Sequence, residues 1–142
     1  LSDLEGRDGR LLSGGQMRRA SLAIGIALNP GVLLLDEPTA NLDIATRREI
    51  IDVLQQMRDI INTAVIATHD MQLVCQWAQR IIVLCNGKVV ADGSRDEIFS
   101  RQDIAGLVGI RPPEIFSMAR ALDNRALCYT IDEFTSSFQK GV

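Results

Sequence analysis

Strand-like and helix-like patterns alternate over the first 93 residues of this 142-residue chain, and that alternation predicts an α/β fold with a parallel sheet. The continuous apolar run Val32–Leu35 has the pattern of a strand buried on both faces, and Thr63–Thr68 reads as a second short buried strand. The segments before and between them space their apolar residues by three and four, as a helix does. Past Gly93 only helical patterns remain. The expected division is 1–93 as the α/β part and 94–142 as a helical extension.

Each element has its own local signal. Ser2-Asp3-Leu4-Glu5 has the form of a capping box. Ser13-Gly14-Gly15-Gln16 opens a helix whose expected apolar positions are Met17, Ala20, Ala23, Ile24, Ala27 and Leu28. Asn29-Pro30-Gly31 ends it, because proline cannot continue the hydrogen-bond ladder. A second helix is expected from Ile44 to Ile61, with Ile50, Leu54, Met57 and Ile61 as its apolar stripe. A short helix is expected over Met71–Ala78. Ile81–Cys85, Asn86-Gly87 and Lys88–Ala91 form a hairpin around the strongest two-residue turn signal. Ser94-Arg95-Asp96-Glu97 is a capping box before Ile98-Phe99. Further helices are expected at Ile104–Val108, from Pro112-Pro113 to Leu122, and from a Thr130 cap to Phe138.

Composition narrows the function classes. Fifteen basic and eighteen acidic side chains leave a formal net charge of −3, which argues against a general affinity for nucleic acid. No apolar run approaches the ~20 residues of a membrane helix. Cys75, Cys85 and Cys128 are an odd number without Cys-x-x-Cys spacing, so buried free thiols are expected rather than a disulfide framework or a zinc site.

Three places carry chemistry. At Ser13-Gly14-Gly15-Gln16 a hydroxyl, open backbone N–H groups and a helix N-terminus can together receive a phosphate, although the same residues also suit an ordinary capped helix. Asp36 and Glu37 end an apolar strand, at the edge where open α/β sheets bind ligands. Pro38 helps turn the chain there, so both acids can reach one site. One carboxylate can serve Mg²⁺, which prefers few carboxylates plus waters and phosphate oxygens, while the other accepts a proton from an attacking water. His69 follows the next strand, on the same expected edge, where it can donate to a terminal phosphate. Alone, each of these also fits a solvated turn or loop.

Together, and in this order, they resemble the nucleotide-binding domain of ABC-type ATPases. Leu12-Ser13-Gly14-Gly15-Gln16 matches the family signature, Val32–Glu37 its Walker B strand, Asn41-Leu42-Asp43 its D-loop, and Thr68-His69-Asp70 its switch-histidine loop. The resemblance implies a P-loop NTPase sheet, ATP and Mg²⁺. It implies that Asp36 helps hold the Mg²⁺ shell through water, Glu37 polarises the hydrolytic water, and His69 contacts the γ-phosphate. Asp43 would shape a dimer contact. Ser13, Gly14, Gly15 and Gln16 would bind the γ-phosphate of an ATP held by a second ATPase domain, paired head to tail.

The phosphate cradle Gly-x-x-x-x-Gly-Lys-Ser/Thr is not in these 142 residues; the one Gly-Lys pair, Gly87-Lys88, sits in the hairpin turn. The expectation is the C-terminal half of a longer ATPase, lacking the Walker A strand and inactive alone. Gly109-Ile110-Arg111-Pro112-Pro113, the helix after it and Thr130–Phe134 resemble the tail of energy-coupling-factor ATPases. That resemblance implies uptake of vitamins or of cobalt and nickel ions. It implies transmembrane coupling and substrate-capture subunits as partners, and a cytoplasmic location against the inner face of the membrane. The alternatives are a soluble, non-transport ABC ATPase and a non-catalytic partner that supplies only a signature face.

Overall fold

The computed structural model describes residues 8–58, 60–101, 103–104, 109–123 and 125–138. Two compact units divide the chain, Leu1–Asp70 and Met71–Val142. The expected capping box at Ser2–Glu5 and most of the expected helix at Ile104–Val108 lie outside the described residues.

In the first unit a 3-10 turn, Gly9–Leu11, leads into helix α1, Gly14–Ala27. Ser13 caps α1 as expected, and Gln16 returns the bond from its side chain to the Ser13 N–H. The expected apolar face of α1 is corrected by the structure. Met17, Ile24 and Leu28 are exposed, and Leu22 is the buried residue. The reason is where the strand lies: Gly25 of α1 faces Leu33, with room for the Leu33 Cδ1 3.5 Å from where a Cβ would stand.

Strand β1, Val32–Asp36, pairs in parallel with β2, Thr63–Ala67, and Leu34 lies opposite Val65. The parallel pairing is as expected, but burial on both faces is not. Leu33 is buried, while Val32, Leu34 and Val65 are exposed. Side chains alternate across a strand, so Leu33, which α1 approaches at Gly25, lies on one face of this pair and Leu34 and Val65 lie on the other, which stays open. Helix α2, Ile44–Gln56, begins at an Asp43 cap and stops short of the expected Ile61. It buries Ile50, Ile51 and Leu54. Beyond it the chain turns, with the N–H groups of both Ile60 and Ile61 donating to the Met57 carbonyl.

In the second unit helix α3, Met71–Trp77, precedes the hairpin of β3, Ile81–Cys85, and β4, Lys88–Gly93. Asn86 and Gly87 take φ of 49° and 74°, the two left-handed positions that the tight turn requires. Among the described residues β2 pairs only with β1, and β3 only with β4. Arg80 grips Asp92 with two hydrogen bonds, of 2.8 and 2.6 Å. Helix α4, Arg95–Phe99, has the expected Ser94–Glu97 capping box.

Helix α5, Glu114–Leu122, starts one residue after the proline pair; Pro113 holds the cap position rather than the first turn. Helix α6, Ile131–Phe138, begins at Thr130 as expected. Val83, Ala91, Ile98 and Ile104 make one core cluster, and Cys75, Phe99 and Tyr129 another. Arg95 joins the second: its guanidinium donates to the Cys75 carbonyl at 2.8 Å and to Glu133 at 2.9 Å, and lies 4.3 Å from the centre of the Tyr129 ring. All three cysteines are free; Cys75 and Cys128 are buried, but Cys85, near the hairpin turn, is only half-buried.

Candidate functional site

Asp36 and Glu37 stand at the C-terminal end of β1, and Thr68, His69 and Asp70 follow the paired end of β2. Parallel register therefore puts both acids and the histidine at one edge. The ladder runs one bond past β1, from Glu37 N–H to the Ala67 carbonyl at 2.8 Å. Glu37 then adopts φ of 43°, a left-handed conformation that costs a non-glycine residue on the order of 1–3 kcal/mol. The turn closes with Ala40 N–H donating to the Glu37 carbonyl.

The strained turn brings the Glu37 carboxylate onto the β2 loop. His69 Nδ1–H donates to Oε1 at 2.6 Å, and the His69 backbone N–H donates to the same oxygen at 3.1 Å. Thr68 Oγ1–H donates to Oε2 at 3.0 Å. A carboxylate only accepts, so the contact places a proton on Nδ1 and leaves Nε2 facing outward on an exposed ring. Partial removal from water pushes the Glu37 carboxyl up. The hydrogen bonds from His69 and Thr68 and the attraction of the imidazole outweigh that and hold it below the usual glutamate value.

Asp36 is exposed beside this pair. No three His, Cys, Asp or Glu side chains gather into a metal cage among the described residues. Mg²⁺ needs no such cage, since one or two carboxylates with waters and phosphate oxygens suffice, and Asp36 suits that role.

The signature residues form a second group. The Ser13 Oγ accepts from Gln16 N–H at 3.3 Å, while Gln16 Oε1 accepts from Ser13 N–H at 2.9 Å. These bonds close on each other, whereas those of Glu37 close on Thr68 and His69. Asp43 caps α2, accepting from Thr46 N–H at 2.9 Å and Thr46 Oγ1–H at 2.7 Å. The Thr46 backbone bond first and its hydroxyl second hold the Asp43 carboxyl below its usual value. Gly14 has open space where a side chain would stand, but Gly15 abuts α2: a Cβ there would lie 2.7 Å from Thr46 Cγ2.

The motif reading took in Thr68 and Asp70 with the switch-histidine loop but gave neither a role, and it missed Thr39 and Arg47. Thr39 is 1% exposed and donates from Oγ1 to Asp70 Oδ2 at 2.8 Å. Arg47 Nε lies 3.7 Å from that same oxygen. The available signal was Thr39 itself, a hydroxyl two residues past an acidic strand end, but its partner is 31 residues away.

Known proteins are similar to this chain in sequence and in fold. The family model described as ABC transporter matches residues 2–40. The cobalt import ATP-binding protein CbiO of Rhodobacter capsulatus is 39% identical, over 84% of this chain and 42% of that protein. The energy-coupling factor transporter ATP-binding protein EcfA2 of Bacillus licheniformis is 37% identical, over 95% of this chain and 49% of that protein. Among solved structures, CbiO1 of Clostridium perfringens, part of the ABC transporter complex CbiONQ, superposes with a TM-score of 0.63 at 34% identity, covering 81% of this chain and 46% of that one. The chain thus spans less than half the length of these relatives. A match over 95% of the chain takes in every motif from Leu12 to Asp70, and the solved neighbours share the P-loop NTPase fold; the chain belongs to the ABC transporter ATPase family.

Proposed function

We propose that this chain supplies the signature, Walker B, D-loop and switch-histidine residues of the ATP-hydrolysing subunit of an energy-coupling-factor-type importer for vitamins or metal ions. The observation that carries the catalytic part is the Glu37–His69 pair at the shared end of two parallel strands. The names of the CbiO and EcfA2 relatives support the transporter type.

In this reading Asp36 holds Mg²⁺ through water, and the ion, when bound, neutralises charge on the phosphates. Glu37 accepts a proton from the attacking water. The low-lying carboxyl suits it to remain ionised at neutral pH. His69 presents Nε2 to the γ-phosphate; with Nδ1–H committed to Glu37, donation from Nε2 calls for a proton on both ring nitrogens. Ser13, Gly14, Gly15 and Gln16 face an ATP held by a second ATPase domain, and Asp43 shapes the contact between the two. Residues 94–142 act as an extension of the nucleotide-binding part. The partners are that second domain and transmembrane coupling and substrate-capture subunits, with the ATPase peripheral on the cytoplasmic face. None of the described helices is long and apolar enough to cross a membrane itself.

The Gly-x-x-x-x-Gly-Lys-Ser/Thr cradle comes, in this reading, from the part of the relatives' length that these residues do not span. The test is ATP turnover with and without Mg²⁺, measured on the full-length protein and on the isolated chain 1–142. Turnover is expected only in the full-length protein with Mg²⁺. Turnover by 1–142 would refute the shared site, and an inert full-length protein that still binds nucleotide would refute the enzyme reading.

A further inference from the structure

We infer that Thr39 and Asp70 form a latch that holds the switch loop in the position where His69 meets Glu37. The inference rests on the proposal that Glu37 and His69 act on ATP, and it assigns both latch residues a positioning role.

The geometry is that of two loops cross-linked twice. One loop runs from Glu37 through Thr39 and the other from Thr68 through Asp70. The first link is Glu37–His69 at 2.6 Å, in an exposed setting. The second is Thr39 Oγ1–H to Asp70 Oδ2 at 2.8 Å, between a Thr39 that is 1% exposed and an Asp70 side chain that is 11% exposed. Between them, Asp70 N–H donates to Thr68 Oγ1 at 3.0 Å, and that hydroxyl donates in turn to Glu37 Oε2 at 3.0 Å. A continuous chain of bonds therefore leads from Thr39 through Asp70 and Thr68 back to the Glu37 carboxylate. Arg47 of α2 sets its positive charge 3.7 Å from Asp70 Oδ2, and its Nε is buried without a hydrogen-bond partner of its own.

The physical reason for two links is exposure. A solvent-facing contact is easily exchanged for water, whereas a buried hydroxyl that loses its acceptor is left unsatisfied. The Thr39–Asp70 bond thus resists opening, and it fixes the backbone of the residue next to His69. Glu37 also needs help from its surroundings, because it sits in a left-handed conformation at φ 43°.

The test uses the full-length protein with Thr39→Val, which keeps shape and removes the hydroxyl, and Thr39→Ser, which keeps the hydroxyl. Two quantities are read: steady-state ATP hydrolysis, and the His69 Nδ1–H signal in nitrogen NMR, assigned against His69→Gln. Thr39→Val is expected to lose the Nδ1–H signature and to lower kcat on the order of 100-fold, as for a misplaced catalytic group, with KM for ATP little changed. Thr39→Ser restores both. Combining Thr39→Val with Asp70→Ala should cost no more than Asp70→Ala alone, since both remove the same bond. An intact Nδ1–H signal in Thr39→Val, or losses that Thr39→Ser fails to restore, would overturn the latch. A lost signal with unchanged turnover would uphold the latch and overturn the role of the Glu37–His69 pair in hydrolysis.

Discussion

Nδ1 of His69 lies 2.6 Å from Oε1 of Glu37, joining residues at the ends of two parallel strands. The contact commits the imidazole to one orientation, with Nδ1 protonated and Nε2 outward. It also keeps the Glu37 carboxylate from turning away, although its own position in the chain is strained.

Glu37→Gln in the full-length protein should leave ATP binding intact and slow hydrolysis by about 10²–10⁴-fold, the scale of a lost general base. Equilibrium nucleotide binding beside single-turnover hydrolysis separates the two effects. A wild-type turnover rate in this variant would remove Glu37 from the proton transfer.

Gly15→Ala should destabilise the first unit by about 1–3 kcal/mol, the usual range for overpacking. The added Cβ would meet Thr46 Cγ2 at 2.7 Å, and Thr46 cannot easily rotate because Asp43 holds its hydroxyl. Thr46→Ser deletes the offending methyl and keeps the hydroxyl, so the double variant should regain most of the loss in urea unfolding. If Gly15→Ala unfolds as the wild type does, the close approach of α1 to α2 is wrong.

Glu97 gives a pH dependence. The Ser94 backbone N–H first, and its hydroxyl second, hold the Glu97 carboxyl below the ordinary glutamate value of 4.5. A carboxyl depressed on folding contributes stability that is present above the unfolded value and is lost as pH falls through the folded one. Unfolding midpoints of wild type and Glu97→Gln should therefore differ most above pH 4.5 and converge at lower pH. A gap that stays constant down to the acid end would show that the carboxylate charge is not what matters at this cap.

The local devices were legible because their partners lie within a few residues. Ser13 with Gln16 and Ser94 with Glu97 each close over three positions, and Asn86-Gly87 declares its turn by residue type alone. The order of the motifs was legible for a similar reason: an apolar run ending in Asp36-Glu37 announces both a strand and the chemistry at its end. The faces were not. Leu33 and Leu34 are the same residue type in the same run, yet one is buried and the other exposed. Nothing in their own neighbourhood distinguishes them, because burial depends on which other elements pack against each face.

Residue types, their spacing and the caps were thus settled along the chain, where each interaction spans a few bonds and short loops bring the partners together. The pairing of Glu37 with His69 and of Thr39 with Asp70 was decided only in three dimensions. Those contacts cross 32 and 31 residues, and they exist because parallel register sets two strand ends side by side and a left-handed turn at Glu37 swings its carboxylate across.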